Sequence, residues 1–174
     1  MSRAVPLVRI PVGVVVERRK ARSEWTDFVW RVVAVLPGVP EMSPWSVLEQ
    51  GAEATAIYAG AAEVALFRSD TARYHDNLGS GAPSLWVVLR PTEVVDPPYT
   101  IVAVTADPGE GEGYTAAGSD LVEPVVMPAS VREVVAAFVA EHHVEQVSFK
   151  RVRTRADPDA LARHAPGTAK DHGE

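Results

Sequence analysis

The densest polar–aromatic group in the sequence is Trp25, Asp27, Trp30 and Arg31, two indoles with a carboxylate and a guanidinium. On an extended strand Asp27 and Arg31 share one face about 13 Å apart, too far for a direct pair unless one reaches diagonally. Two uses compete for these charges. One is a cross-strand salt link near Glu17 or Arg19. The other is a recognition surface, because indole and guanidinium groups are the usual anchors of protein interfaces. A second charged group, Lys150-Arg151-x-Arg153-x-Arg155, falls where the apolar pattern has ended. Residues 150–174 carry six Lys/Arg against four Asp/Glu, leaving a net of −8 on residues 1–149. A basic tail on an acidic body either stays solvated or docks an acidic partner or a phosphate through Arg151, Arg153 and Arg155.

Two further motifs invite sharper chemistry. Gly111-x-Gly113-x-x-Ala116 is a partial dinucleotide fingerprint, which needs free backbone N–H groups and a positive field. Asp107, Glu110 and Glu112 would repel a pyrophosphate, and no parallel βαβ unit surrounds the motif, so a flexible acidic loop is expected. His142-His143 suggests a metal, with Glu141 or Glu145. Adjacent residues on a helix point about 100° apart, so both rings serve one ion only if the helix ends between them. His142 lies on an apolar stripe and reads instead as a satisfied, partly buried histidine. No nucleophile elbow, paired-histidine zinc motif, Walker loop or paired-carboxylate signature is present. No catalytic, cofactor-binding or metal-binding residue is therefore assigned, and no cofactor is expected.

The elements that must hold these residues follow from periodicity. Val8, Ile10, Val12, Val14 and Val16 alternate with Arg9, Pro11 and Gly13, predicting a long strand with one buried face. After the charges at Arg18, Arg19, Lys20, Arg22 and Glu24, a second strand is expected over residues 25–36. Phe28, Trp30, Val32, Ala34 and Leu36 should share its inward face. A short charged connection between two such strands favours an antiparallel pair. Pro37-Gly38, Pro40 and Pro44 predict an irregular stretch. Short strands over 55–58 and 64–68 are expected to flank a turn at Ala59-Gly60-Ala61-Ala62. A short helix over 69–78 follows, capped by Asp70 and ended by Gly79. Strands over 85–90, 100–105 and 121–126 come next, the last at an edge because Pro124 cannot donate to a ladder. Val131, Val134, Val135, Phe138, Val139 and His142 then recur at helical spacing over residues 128–143. The class predicted is α+β, a mostly antiparallel sheet or partly open barrel with one C-terminal helix packed on it. Residues 1–149 should form one domain and 150–174 a mobile basic tail.

Composition sets the outer bounds. The chain has 174 residues, 47% of them hydrophobic, and a formal net charge of −6. That suits one soluble globular domain and a tail, and it excludes collagenous, coiled-coil or disordered classes. The acidic balance argues against a nucleic-acid partner, which would demand a basic face. The absence of cysteine removes disulfides, thiolate-held zinc or iron–sulfur centres and a thiol nucleophile. Arg9, Pro6 and Pro11 interrupt the apolar start, and no run approaches the ~18 residues of a membrane span, so a cytoplasmic protein is expected.

Pro11-Val-Gly-Val-Val-Val-Glu-Arg-Arg-Lys20, Trp25-x-Asp-x-x-Trp-Arg31 and Val33-Ala-Val-Leu-Pro37 together resemble a small bacterial family of unknown function. The likeness continues through Tyr58-Ala-Gly60, Leu85-Trp-Val-Val-Leu-Arg-Pro91, Val122-Glu-Pro-Val-Val-Met-Pro128 and Phe138-Val-Ala-Glu-His-His-Val144, covering roughly residues 11–151. Genes of that family often neighbour those of molybdenum-dependent formate dehydrogenases. The resemblance implies a context and no catalytic residue. It also implies a helix-like segment where residues 107–113 read as a loop. The function expected is a non-catalytic accessory protein, an assembly factor or small subunit, with a formate dehydrogenase-type subunit or maturation protein as partner. Trp25, Asp27, Trp30, Arg31, Arg151, Arg153 and Arg155 would supply the contact. The alternative is a small-molecule-binding or catalytic β-domain. Its pocket would lie between the sheet and the C-terminal helix, near Tyr74, His75, Trp86 and His142.

Overall fold

Alternation in the first strand places Ile10, Val12, Val14 and Val16 in the interior, as the sequence demands. The computed structural model describes residues 4–116 and 118–145. The expected boundary after residue 149 and the tail arginines Arg151, Arg153 and Arg155 lie outside the described residues. Strand β1 (Val8–Lys20) pairs antiparallel with β2 (Phe28–Pro37) and with β4 (Ala54–Leu66), while β3 (Ser46–Gln50) adds to the far side of β4. The order is β2-β1-β4-β3. A second antiparallel sheet sets β5 (Ser84–Pro91) between β6 (Tyr99–Thr105) and β7 (Leu121–Val126). Its central strand buries Leu85, Val87, Val88 and Leu89, and Pro124 does sit on an edge strand. The class is α+β and mostly antiparallel, built as two sheets and not as a closed barrel.

Several expectations about the first sheet are corrected. Residues 25–27 precede β2, which begins where Phe28 pairs with Lys20. Strict alternation along β2 also fails. Val15 faces Ala34 while Val16 faces Val32, so Val33 is the extra residue of a bulge and the buried positions become Val32 and Val35. The residues 59–62 make no turn. They continue β4, where Ala59 is the extra residue between the Gly60 and Tyr58 pairings to Val14 and Val15. Gly60 adopts φ +142°, which an L side chain resists, and this glycine bends the strand without ending it. The proline-rich stretch after β2 still yields the short edge strand β3, whose residues are largely exposed and so gave no apolar period.

Among the described residues, three α-helices accompany the sheets. A 3₁₀ turn over Arg68–Asp70 leads into α1 (Thr71–Leu78), which stops at Gly79; Asp70 occupies the cap position but its side chain makes no capping bond. Residues 107–113 are not a loop: α2 (Pro108–Thr115) forms there. The Asp107 carboxylate accepts the Gly109 N–H at 2.8 Å, and Pro108 occupies the first turn, where its missing N–H costs nothing. Gly111 lies against Trp86 so closely that a Cβ would overlap three of its side-chain atoms. Helix α3 (Ala129–His142) buries Val131, Val135, Phe138 and Val139, whereas Val134 of the expected stripe is exposed. Its Phe138 ring meets Tyr74 of α1 edge-on at 6.2 Å.

Val12 and Val14 of β1, Leu85 and Val87 of β5 and Val131 and Val135 of α3 belong to one continuous core. The edge strands of the two sheets are joined as well: the Glu123 carboxylate on β7 accepts the Val32 N–H and stands 3.6 Å from Arg31. That satisfies one donor a sheet edge would otherwise leave open. No helix among the described residues is long and apolar enough to cross a membrane.

Candidate functional site

Beyond the bulge, the β1–β2 hairpin turns aromatic at the margin of the core, against which Trp30 packs. Phe28, Trp30 and Arg18 occupy one face there, since Arg18 pairs with Trp30 and Lys20 with Phe28 in the register. The Arg18 guanidinium carbon lies 4.6 Å from the Phe28 ring centre and 5.9 Å from that of Trp30. Both contacts are within cation–π range. Trp30 is half-buried and meets Trp45 at 6.0 Å and Tyr99 at 6.1 Å, both edge-on. Trp45 comes from the segment before β3 and holds φ +65°, a left-handed conformation costing about 1–3 kcal/mol in a non-glycine residue. Its N–H donates to the Tyr58 carbonyl, which helps fix that turn.

Arg18, Phe28, Trp30 and Trp45 wall a cleft of about 580 Å³, bounded also by Asp96 and Pro98. A cation at Arg18 and a carboxylate at Asp96 are its charged groups. The size falls within the range of binding pockets, and the aromatic walls suit an apolar or flat group. Around the cleft the hairpin adds Arg19, Lys20 and Arg22 to a body that is otherwise acidic. Arg19 pairs with Glu17, and that contact raises its pKa.

The four residues singled out together in the sequence are separated by the structure. Trp25 stands at the connection between β1 and β2 with 94% of its surface exposed, and its N–H donates to Ser23 Oγ at 3.2 Å. Asp27 is exposed, and its carbonyl accepts the Ala21 N–H at 3.0 Å. Trp30 faces the cleft. Arg31, its neighbour along the strand, points to the other face. Arg31 is the register partner of Glu17, yet its ion pair is with Glu123 of the other sheet, while Glu17 is taken by Arg19. Arg19 and Glu17 both lie on β1, so their contact stays within one strand and is not the expected cross-strand link; Arg31 pairs between the sheets, with Glu123. Arg18, Phe28, Trp45 and Tyr99 were not anticipated. The two-residue spacing of Phe28 and Trp30 was visible in the sequence, but Trp45 reaches them only through a long-range turn.

The pocket expected between the sheet and the C-terminal helix does not assemble from its four residues. Tyr74 is buried with its hydroxyl accepting the Phe67 N–H at 3.1 Å, and burial pushes its pKa up to about 12. Trp86 lies beneath α2 at Gly111. Only His75 and His142 meet, in a groove between α1 and the end of α3. The His142 ring packs on Phe138 at 4.6 Å and is largely buried. Among the described residues no group of three or more His, Asp or Glu side chains is arranged to hold a metal ion. Gly111 is committed to packing on Trp86.

The family described as protein of unknown function (DUF3305) matches residues 11–153, and the chain belongs to it. No curated protein and no solved structure matches the chain.

Proposed function

We propose that this member of the family is a non-catalytic accessory protein, an assembly factor or small subunit, of a formate dehydrogenase-type redox enzyme. In this reading it works in the cytoplasm and docks through the β1–β2 hairpin. The observation that carries the docking is the hairpin end itself. A fully presented indole at Trp25, with Glu24 and Asp27 beside it in sequence, lies in the connection that follows Arg18, Arg19, Lys20 and Arg22, and Arg18 lines the aromatic cleft at the end of the same hairpin. An exposed tryptophan with flanking cations has the composition of an interface anchor and rim. An acidic patch carrying a protruding apolar side chain is its natural complement, with that side chain seated against Trp30 and Trp45. The choice of enzyme rests on the motif resemblance alone. Electron transfer then belongs to the partner's cofactors, since this chain has no thiolate with which to hold a cluster.

The full chain, tagged and purified from its native cell during growth on formate, should bring down a dehydrogenase subunit or maturation protein. Trp25→Ala, a change at a side chain that packs on nothing, should cut that recovery at least about tenfold, the usual scale of a truncated anchor. Recovery with no such subunit under every formate-using condition would sink the choice of partner. Undiminished recovery with Trp25→Ala would sink the docking site.

A further inference from the structure

A groove on another part of the protein collects a different chemistry. Arg68 and Ser69 of the 3₁₀ turn, Thr71 and His75 of α1, and His142 and His143 at the end of α3 line a volume of about 920 Å³. The His75 and His143 rings stack face to face, 5.0 Å between centres and 7° from parallel. Arg68 reaches His142, with its guanidinium nitrogen 3.4 Å from Nδ1. That geometry gives Nδ1 the acceptor role and leaves the other ring nitrogen, 3.7 Å from Glu141, to carry the proton. The acidic neighbours are Glu145 on the rim, Glu141 beside His142, Asp76 at 3.7 Å from His75, and Asp70, which takes the Ser69 hydroxyl.

From this arrangement we propose that the groove binds a phosphate-bearing small molecule. Arg68 is the fixed cation, and the imidazoles beside it supply ring N–H donors. Stacked imidazoles present their faces to each other and their edges to the groove. They are poorly placed to share a metal and well placed to donate to an oxyanion. A bare phosphate would fill little of the volume, which is of the size that holds an organic molecule bearing the group.

The test uses the full-length protein and histidine ring resonances followed by NMR. His164 and His172, outside the described residues, serve as references within the same chain. Phenyl phosphate is the phosphate ester, and sulfate is a dianion without the organic part. Both should shift His75, His142 and His143 while leaving His164 and His172 in place. Arg68→Gln, at an exposed side chain, should weaken both probes about tenfold or more. Shifts confined to His164 and His172 would overturn the proposal. So would binding undiminished in Arg68→Gln, or phenyl phosphate binding no tighter than sulfate.

Discussion

Asn77 ties α1 to both neighbouring strands of the second sheet, and its removal is the most quantifiable perturbation the structure offers. The side chain is buried. Its Nδ2 donates to the Ser84 carbonyl at 2.8 Å and the Ala106 carbonyl at 2.9 Å, while Oδ1 accepts the Ser84 N–H at 3.0 Å. All of its capacity but one acceptor position is used. Asn77→Ala removes these bonds without removing their backbone partners. Each bond contributes about 1 kcal/mol net, and each buried group left open costs about 1–3 kcal/mol. A loss of about 3–5 kcal/mol follows, a large part of the ~5–15 kcal/mol that a domain has to lose. At about 2–4 °C per kcal/mol for a chain of this size, the melting temperature should drop by about 10 °C.

Asn77→Asp separates hydrogen bonding from volume. It keeps the shape but sets a carboxylate oxygen where the amide donated to two carbonyls. Burial and those carbonyls disfavour the charge, so the new carboxyl should have its folded-state pKa raised above its unfolded value. A raised pKa gives stability that is present below the unfolded value and is lost as pH rises through the folded one. Asn77→Asp should therefore melt below Asn77→Ala at pH 7 and overtake it as pH falls toward 4, where the protonated acid donates one bond again. Circular dichroism melts of both variants at pH 4, 5.5 and 7 decide the matter. A drop below about 3 °C for Asn77→Ala would refute the reasoning. A pH profile for Asn77→Asp parallel to that of the parent would refute it as well.

Three further outcomes follow from single contacts. Gly111→Ala drives a Cβ into the Trp86 side chain and should cost about 1–3 kcal/mol in denaturant titration, with Trp86 shifted toward a wetter fluorescence. Glu123→Ala frees the Val32 N–H at the edge of β2 and should lose about 1–2 kcal/mol. Hydrogen exchange at Val32 should quicken ahead of its neighbours, and unchanged protection there would contradict the bridge between the sheets. Tyr74 has its pKa raised from 10 to about 12, so its neutral form supports the fold below pH 10. That support, up to about 3 kcal/mol, should drain away between pH 10 and 12. Tyr74→Phe should show a shallower alkaline decline than the parent, measured as unfolding free energy against pH.

What could be read in the sequence was whatever a single period controls. The valines of β1 and the stripe of α3 fold as their spacing says, because one face of each is simply removed from water. The errors cluster where a bulge or a distant partner intervenes. Residues 59–62 look like a turn because they are small, but the long β1 pairs on past them and Gly60 absorbs the bend. The acidic 107–113 run looks like a loop because three glycines disfavour a helix. Asp107 as cap and Trp86 as floor outweigh that local cost. At the hairpin, composition drew Trp30 and Arg31 into one group, although adjacent strand residues must face opposite ways. The cleft around Trp30 was out of reach for a different reason: Trp45 and Tyr99 arrive from other parts of the chain.

The register of the first sheet sets how the two proposed sites relate. Leu66 pairs with Val8 at one end of β1, next to the turn that carries Arg68, while Arg18 pairs with Thr55 at the other. Ten residues of extended strand separate these pairs, about 30 Å. The intervening ladder pairs β1 with β4 along this whole length and with β2 from Val12 onward. Sites that far apart with no shared partner should be energetically independent. Recovery of the partner should therefore be the same with Arg68→Gln as with the parent, and sulfate binding should be the same with Trp25→Ala. The double variant should show the two losses added, to within about 0.5 kcal/mol. A measurable change in partner recovery on adding phenyl phosphate would break this independence. It would mean that the β1–β4 ladder, or the chain beyond residue 145, couples the two ends.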